Sequence, residues 1–519
     1  MLRTEMIVPI HVLLQRHAKE RPDKLAYRDQ RRSVTYGELD RATKNLAGHF
    51  IELCVKPGDA VAIWLPNSVA WVETCFAVAR AGAIAVPISY DATEPEAIYR
   101  LTDARCRLLI TTDERAAQLS VSKPDLPDLK TTILVDRGSV PGQGKRYADL
   151  LQKKSNQSPL DPDSIDAPAF IVYTSGTTGR AKGVILTLRG MLWVVAACWA
   201  PIAQLSEKDY VLSPLPLFHS YALNLSVLGI LTTGASEYIL EKYSTADCLR
   251  LLKSEPVTFF PGVPTMFHYL LEAIGKEGPL KFPFLRLCVS AGAIMPATLN
   301  REFENRLNVP LLDGYGITET STMVTMNWPI GGRILGSCGL PVPGVMVRIV
   351  DPRTGLDVAA GEEGELIVRG PNVMLGYHDK PAETAVALKG GWYHTGDLAK
   401  SDANGFLTIT GRLKELIIRG GQNIAPAEIE EVVNAYASVL DSAVIGIAHE
   451  KLGEVPVIFV VARPGFDFNA EKLIAHCKSK LSAYKIPQAV HLIDQIPRTG
   501  SGKIMRFKLR DALGGEKHT

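Results

Sequence analysis

The chain has 519 residues, and its 57 lysines and arginines against 55 aspartates and glutamates leave a formal net charge of +2. That balance gives no electrostatic footprint for nucleic acid or an anionic membrane as a partner. With 46% hydrophobic and 22% charged residues the composition is that of a soluble globular protein, and the length exceeds what one core supports, so at least two domains are expected. Eight cysteines without a C-x-x-C pair are expected as reduced, mostly buried thiols in a cytoplasmic protein.

At the N-terminus the apolar run 6–14 is broken by Pro9 and His11 and lacks a small-residue cleavage site, so no secretory signal is expected. Thr35 and Glu38 have capping-box spacing and open a helix to about Leu53. An apolar strand follows at 60–65, then a helix at 69–81, a strand at 84–88, a helix at 94–103 and a strand at 108–111. This is the βαβ rhythm of a buried parallel sheet. A polar stretch at 137–166 is expected on the surface, before a strand at 169–174 and a β-like run at 184–188. The uncharged stretch 210–236 is long enough to span a bilayer, but Pro214, Pro216, His219, Ser220 and Asn224 interrupt it, which predicts a loop followed by a core helix.

Past Pro341 the texture turns to short β-like runs with frequent glycine, such as 345–350 and 364–368, predicting a more antiparallel subdomain. Past Arg412 it changes again: a helix opened by Pro426 to Asn434, strands at 443–447 and 455–461, a helix at 470–481 and a last basic helix. The fold expected is a large N-terminal α/β domain, with βαβ parallel sheets plus a distorted antiparallel β subdomain, over residues 1–413. A small, mobile α+β C-terminal domain is expected over 414–519.

The densest chemical signal is Tyr173-Thr174-Ser175-Gly176-Thr177-Thr178-Gly179-Arg180-Ala181-Lys182-Gly183, between two strands. Glycines let backbone approach a polyphosphate, while hydroxyls, amides and a lysine donate to its oxygens. A Walker P-loop fails here and fails again at Gly500-Ser501-Gly502-Lys503-Ile504, which argues against a kinase or GTPase. Asp313-Gly314-Tyr315-Gly316-Ile317-Thr318-Glu319 offers a ring for a purine, a hydroxyl for a phosphate and a hard oxygen for Mg²⁺, although Gly-Tyr-Gly alone also reads as a turn. The charges of Gly411-Arg412-Leu413-Lys414-Glu415 read equally as a solvated face. So does the basic segment around Lys503.

Taken in order, these motifs resemble the adenylate-forming superfamily of acyl-CoA synthetases, coumarate ligases, luciferases and peptide-synthetase adenylation domains, and the resemblance runs over nearly the whole chain. It implies ATP, Mg²⁺ and coenzyme A as cofactors. Thr174, Ser175, Gly176, Thr177, Thr178, Gly179 and Lys182 would hold the ATP phosphates. Gly292, Ala293, Asp313, Gly314, Tyr315 and Gly316 would meet the adenine, Thr318 the α-phosphate, and Asp397 and Arg412 the ribose. The resemblance further implies that Glu319 carries Mg²⁺ and that Lys503 is the catalytic lysine of adenylation, acting with Thr318. Lys414 would be the hinge, and Gly420 and Gly421 would lie beside the pantetheine.

His219 and Tyr221, in Pro216-Leu217-Phe218-His219-Ser220-Tyr221, are the candidate contacts for the acyl substrate. No aspartate in that segment could pair with an α-amine, so amino acids are not expected. Apolar segments at 223–231, 259–267 and 323–326 favour a medium- or long-chain fatty acid, with core packing as their other reading. The predicted activity is an AMP-forming acyl-CoA ligase. Alternatives are a fatty acyl-AMP ligase loading an acyl carrier protein, and an aryl or coumarate-type CoA ligase; a homodimer stays open. Leu188 stands where many relatives carry a histidine, and Ala425 replaces a common aromatic. From another class, a silent nucleotide-binding module would not need Lys503 together with Glu319.

Overall fold

The computed structural model describes residues 2–122, 124–135, 145–174, 181–275, 281–420, 422–499 and 503–515. Among them lie four sheets, three in a large N-terminal α/β region and one in a smaller C-terminal α+β unit.

In the first sheet Ala60–Trp64 sits between Ile84–Pro87 and Leu108–Thr112, all parallel, and Leu108–Thr112 pairs in turn with Thr131–Val135. Strand Ala60–Trp64 is buried along its whole length, as its unbroken apolar sequence requires of a sheet covered on both faces. The helices on either side of this strand in sequence begin where local chemistry starts them. Thr35 and Glu38 form the capping box of helix Tyr36–Glu52, and Ser68 caps Val69–Arg80 by accepting from the Trp71 amide. On the far side Pro168–Thr174 and Lys182–Thr187 make an antiparallel pair.

The second sheet is parallel through Ser236–Ile239, Tyr210–Ser213, Phe259–Gly262, Leu287–Ser290 and Leu311–Ile317, and turns antiparallel at Thr322–Met326. The third is the antiparallel subdomain of Met346–Val350, Gly364–Arg369, Tyr393–Ser401 and Leu407–Arg412. The C-terminal sheet is built on the hairpin Val439–His449 and Gly453–Ala462, with helices Pro426–Asn434 and Ala470–Lys480 among its elements.

Two local expectations are corrected. Tyr210–Ser213 is a buried strand rather than a loop, because both of its edges are taken by parallel neighbours far away in sequence. The segment then continues as helix from Ser220 to Thr233, with a π-helical stretch at Leu223–Gly229. In the polar stretch 137–166, residues 137–144 lie outside the described residues. Beyond them helix Tyr147–Gln152 buries Tyr147 and Leu150, so this part is not a surface loop. The Tyr147 hydroxyl donates to buried Glu73 at 2.5 Å, a partner the local sequence does not announce.

Cys54 is exposed and the other seven cysteines are buried, all eight free. No helix among the described residues is long and apolar enough to cross a membrane. One buried group stands apart. Glu237, in strand Ser236–Ile239, is fully buried with neither carboxyl oxygen hydrogen-bonded, and the hydroxyl of Ser226 donates instead to Ser213 at 2.9 Å. Burial pushes its pKa well above the usual carboxylate range, so the residue is held as the neutral acid.

Candidate active site

The apolar strand Pro168–Thr174 leads into the phosphate-loop candidate. Ser175, Gly176, Thr177, Thr178 and Gly179 lie outside the described residues, but Thr174 and Lys182 face each other in register and bracket them. The Lys182 ammonium pairs with Glu383 and lies 4.9 Å from the centroid of the Tyr377 ring. The hydrogen bond from Lys182 lowers the pKa of Glu383.

The second motif runs along strand Leu311–Ile317, whose hairpin partner is Thr322–Met326, with an irregularity between Tyr315 and Gly316. Gly316 is demanded by this hairpin, since a β-carbon there would sit 1.3 Å from the Thr322 carbonyl oxygen. Gly314 is less confined: Met323 Cε, 2.3 Å from its β-carbon position, ends a flexible side chain, and the nearest backbone atom is the Thr325 carbonyl oxygen at 3.0 Å. Asp313 is buried, and burial pushes its pKa far up. Thr318 Oγ1 lies 3.2 Å from the Ser220 hydroxyl. Glu319 is next along the chain; its carboxylate accepts from the Tyr377 hydroxyl at 3.1 Å, and burial raises its pKa.

The ribose candidates meet through register. Asp397 and Arg412 are directly opposed on adjacent antiparallel strands, and the guanidinium Nε lies 2.7 Å from the carboxylate. The Tyr315 hydroxyl donates to the other carboxylate oxygen at 2.5 Å, so the two motifs are joined across 82 residues of sequence. Burial raises the pKa of Asp397, while Arg412, Tyr315 and Lys503 pull it back.

Lys503 arrives from the C-terminal unit. Its pKa is lowered, first by burial and then by the like charge of Arg412, and is supported by the carboxylates of Glu415, Asp397 and Glu319. The structure thus gathers Lys503, Arg412, Asp397, Tyr315 and Glu319 into one electrostatic neighbourhood. Lys414 lies in the short turn Leu413–Glu415 directly after strand Leu407–Arg412. Gly420 takes a left-handed φ of 57° with its amide donating to Leu452 at 2.7 Å, whereas Gly421 lies outside the described residues.

His219, Tyr221 and Gly292 line a cavity of about 10 Å³ with Leu215, Pro216, Ala222, Val263 and Met266. That is room for about one water. Tyr221 stacks on Trp199 with ring centroids 6.0 Å apart, and its hydroxyl donates to Val289 at 3.2 Å. Burial lowers the pKa of His219 to about 4, so it is neutral at pH 7. Gly292 turns the chain at φ 88°, next to half-buried Ala293. Leu188 is buried at the start of helix Leu188–Val194, and Ala425 packs 3.2 Å from the β-carbon position of Gly411.

Glu319 is a single carboxylate, and no group of three histidine, cysteine or acidic side chains that could hold a metal occurs among the described residues. One carboxylate fits Mg²⁺, which takes one or two from the protein and the rest of its shell from phosphates and water. Sequence reasoning missed Tyr377, Glu383 and Ser220. No local pattern singles them out, because each acts on a motif 58 to 201 residues away.

Two family models match this chain. The model for AMP-binding enzymes covers residues 14–378, and that for the AMP-binding enzyme C-terminal domain covers 428–503. The chain is 34% identical over 500 residues to a feruloyl-CoA synthase of Amycolatopsis sp, covering 96% of this chain and 98% of that one. It is 36% identical to a long-chain-fatty-acid–CoA ligase of Yersinia pestis, over 94% and 92% of the two chains. Among solved structures, the anthranilate CoA ligase AuaEII in complex with anthranoyl-AMP superposes with a TM-score of 0.90 at 27% identity, covering 98% of both chains. The chain therefore belongs to the AMP-binding, acyl-adenylate-forming enzymes, and it is an AMP-forming acid–thiol ligase.

Proposed function

We propose that the chain joins an apolar carboxylic acid to coenzyme A in two steps at this site, and that the acid bears a ring, a reading supported by relatives that act on ring acids. In the first step a carboxylate oxygen attacks the α-phosphorus of ATP and pyrophosphate leaves, giving an acyl-adenylate. In the second, the thiol sulfur attacks the acyl carbonyl, the thiol proton is lost and AMP departs. The observation that carries this reading is the convergence of Lys503, Arg412, Asp397, Tyr315 and Glu319 from four separate sequence motifs.

Lys503 would bring a compact positive charge between the carboxylate and the α-phosphate, where negative charge crowds during attack. Thr318 would donate to the same phosphate, with Ser220 orienting its hydroxyl. Asp397, acceptor-only and fixed by Arg412, suits the two ribose hydroxyls. Tyr315 lends its ring to adenine while its hydroxyl stays on Asp397. Asp313, Gly314, Gly316, Gly292 and Ala293 frame the base, and the 174–182 loop with Lys182 takes the outer phosphates. Mg²⁺ held by Glu319 would neutralise phosphate charge. For the thiol step the region 414–519 would turn about Lys414, withdrawing Lys503 and presenting Gly420 and Gly421 to the pantetheine. Such gating limits turnover in many enzymes.

The preference for a ring-bearing acid departs from the fatty acid expected above and is drawn from relatives, since the cavity beside His219 has room for about one water and admits neither acid as it stands. The apolar segments behind that expectation are mostly core: Leu223, Leu225, Leu228 and Leu231 pack with Phe259, Met323 and Met326 in the main cluster. Only Val263 and Met266 of these segments line the small cavity, together with His219 and Tyr221. Beside the long-chain-fatty-acid–CoA ligase, the relatives include a feruloyl-CoA synthase, an indoleacetate–CoA ligase and an anthranilate CoA ligase. The test is incubation with MgATP, coenzyme A and acids from acetate to palmitate plus benzoate, coumarate and indoleacetate, with products identified by mass spectrometry. Thioesters of the ring acids with AMP are expected. Palmitoyl-CoA as the main product would overturn the acid class, and acyl-AMP without thioester would favour a carrier-protein acceptor.

A further inference from the structure

The C-terminal unit touches the N-terminal region through one ion pair between described residues, Arg463 with Glu272, whose guanidinium Nη1 and carboxylate oxygen are 2.9 Å apart. Arg463 directly follows strand Gly453–Ala462, and its other nitrogens are already engaged. Nε donates to the Ala437 carbonyl and Nη2 to that of Val439, both at 3.1 Å. The fork is therefore oriented by its own unit before it meets Glu272, so less side-chain freedom is lost on pairing than for a loose surface pair.

The receiving end is equally well placed. Glu272 lies in the last turn of helix Pro264–Ile274, and the first turns of that helix, with the Val263 cap, contribute Val263 and Met266 to the acid cavity. Glu272 is six positions beyond Met266, about 9 Å along the helix axis. The hook thus fastens the C-terminal unit to the element that walls the acid cavity. In this arrangement the charges of Arg412, Asp397 and Glu319 act on Lys503.

We propose that Glu272 and Arg463 are a positioning pair for Lys503, holding the C-terminal unit in the orientation that serves adenylation and releasing it for the thiol step. The proposal rests on the reading of Lys503 given above. The pair touches no reacting atom; its effect is on how often Lys503 is in place. Because both side chains are about one-third exposed, the effect is modest, roughly two- to fivefold.

The test measures the half-reactions separately in the full chain: acid-dependent pyrophosphate release without coenzyme A, and thioester formation from supplied acyl-AMP and coenzyme A. Glu272→Gln and Arg463→Gln should each lower adenylation about two- to fivefold at saturating ATP and acid while leaving the thioester step equal or faster. The double variant should be no worse than either single one, and the exchange E272R/R463E should recover part of the loss. Amide hydrogen exchange over helix Pro264–Ile274 should rise in the single variants. Equal loss in both half-reactions, or no change in either together with unchanged exchange, would overturn the proposal. A wild-type chain that forms no acyl-AMP with any acid would instead break the proposed function, and the exchange measurement would still decide whether the pair holds the two regions together.

Discussion

Two buried carboxyl groups show how differently this protein treats the same functional group. In the candidate active site, Asp397 is 2% exposed yet meets Arg412 at 2.7 Å and the Tyr315 hydroxyl at 2.5 Å, with Lys503 nearby. In the core beneath the π-helical stretch, Glu237 is 0% exposed and neither of its oxygens is hydrogen-bonded. Burial pushes both pKa values up, but at Asp397 the cations Arg412 and Lys503 oppose it, whereas at Glu237 the opposing group is the neutral Ser226 hydroxyl. A buried acid is made useful by what is brought to face it, and without partners the cheaper state is the protonated one.

The comparison breaks most sharply if the lysine of the site is removed. Lys503→Ala should lower acid-dependent adenylation by about 10²–10³-fold, the usual cost of losing one preorganised donor, while sparing much of thioester formation from supplied acyl-AMP. Pyrophosphate release and single-turnover thioester assays check this, and an equal loss in both would count against Lys503 as the adenylation lysine.

In the core the sign is the reverse. A carboxyl whose folded pKa lies above its unfolded one is fully accommodated below the unfolded pKa, and stability is lost as pH rises towards the folded pKa. Relative to Glu237→Gln, the wild type should lose about 1.4 kcal/mol per pH unit above roughly pH 4.3, levelling off at the folded pKa. Denaturant unfolding at pH 4 to 9 measures it. A difference that does not change with pH would mean Glu237 is ionised or solvated after all.

Tyr315→Phe sharpens the contrast by taking one donor from Asp397, with an expected loss of about 1–2 kcal/mol in stability and a weaker hold on ATP. Thermal unfolding with and without ATP tests both. The smallest effect is expected from Glu383→Gln, which frees Lys182 from a partly exposed pair and should lower the KM for ATP by at most about threefold. A raised KM would mean that Glu383 helps Lys182 rather than competes with phosphate for it.

What could be read along the chain was what is decided along the chain. The capping box at Thr35 and Glu38, helix Pro426–Asn434 with proline at its start, and the unbroken apolar strand Ala60–Trp64 each depend on neighbours within a few residues. Strand Tyr210–Ser213 was illegible because its edges are claimed by residues 26 and 48 positions further on, and Tyr147 because its partner Glu73 lies 74 residues earlier. The site shows the same division. Asp397 and Arg412 were each legible within a motif, but their opposition depends on sheet register, and Glu383 reaches Lys182 from 201 residues away.

Gly316 carries a consequence for how activity screens on this protein will read. Its hydrogen is all that fits against the Thr322 carbonyl, so every side chain introduced there collides with backbone whatever its chemistry. A saturation library scored by product formation would rank position 316 beside Lys503. Counting soluble, folded protein in the same wells would separate the two, because variants at 316 should vanish from the pool while those at 503 stay in it.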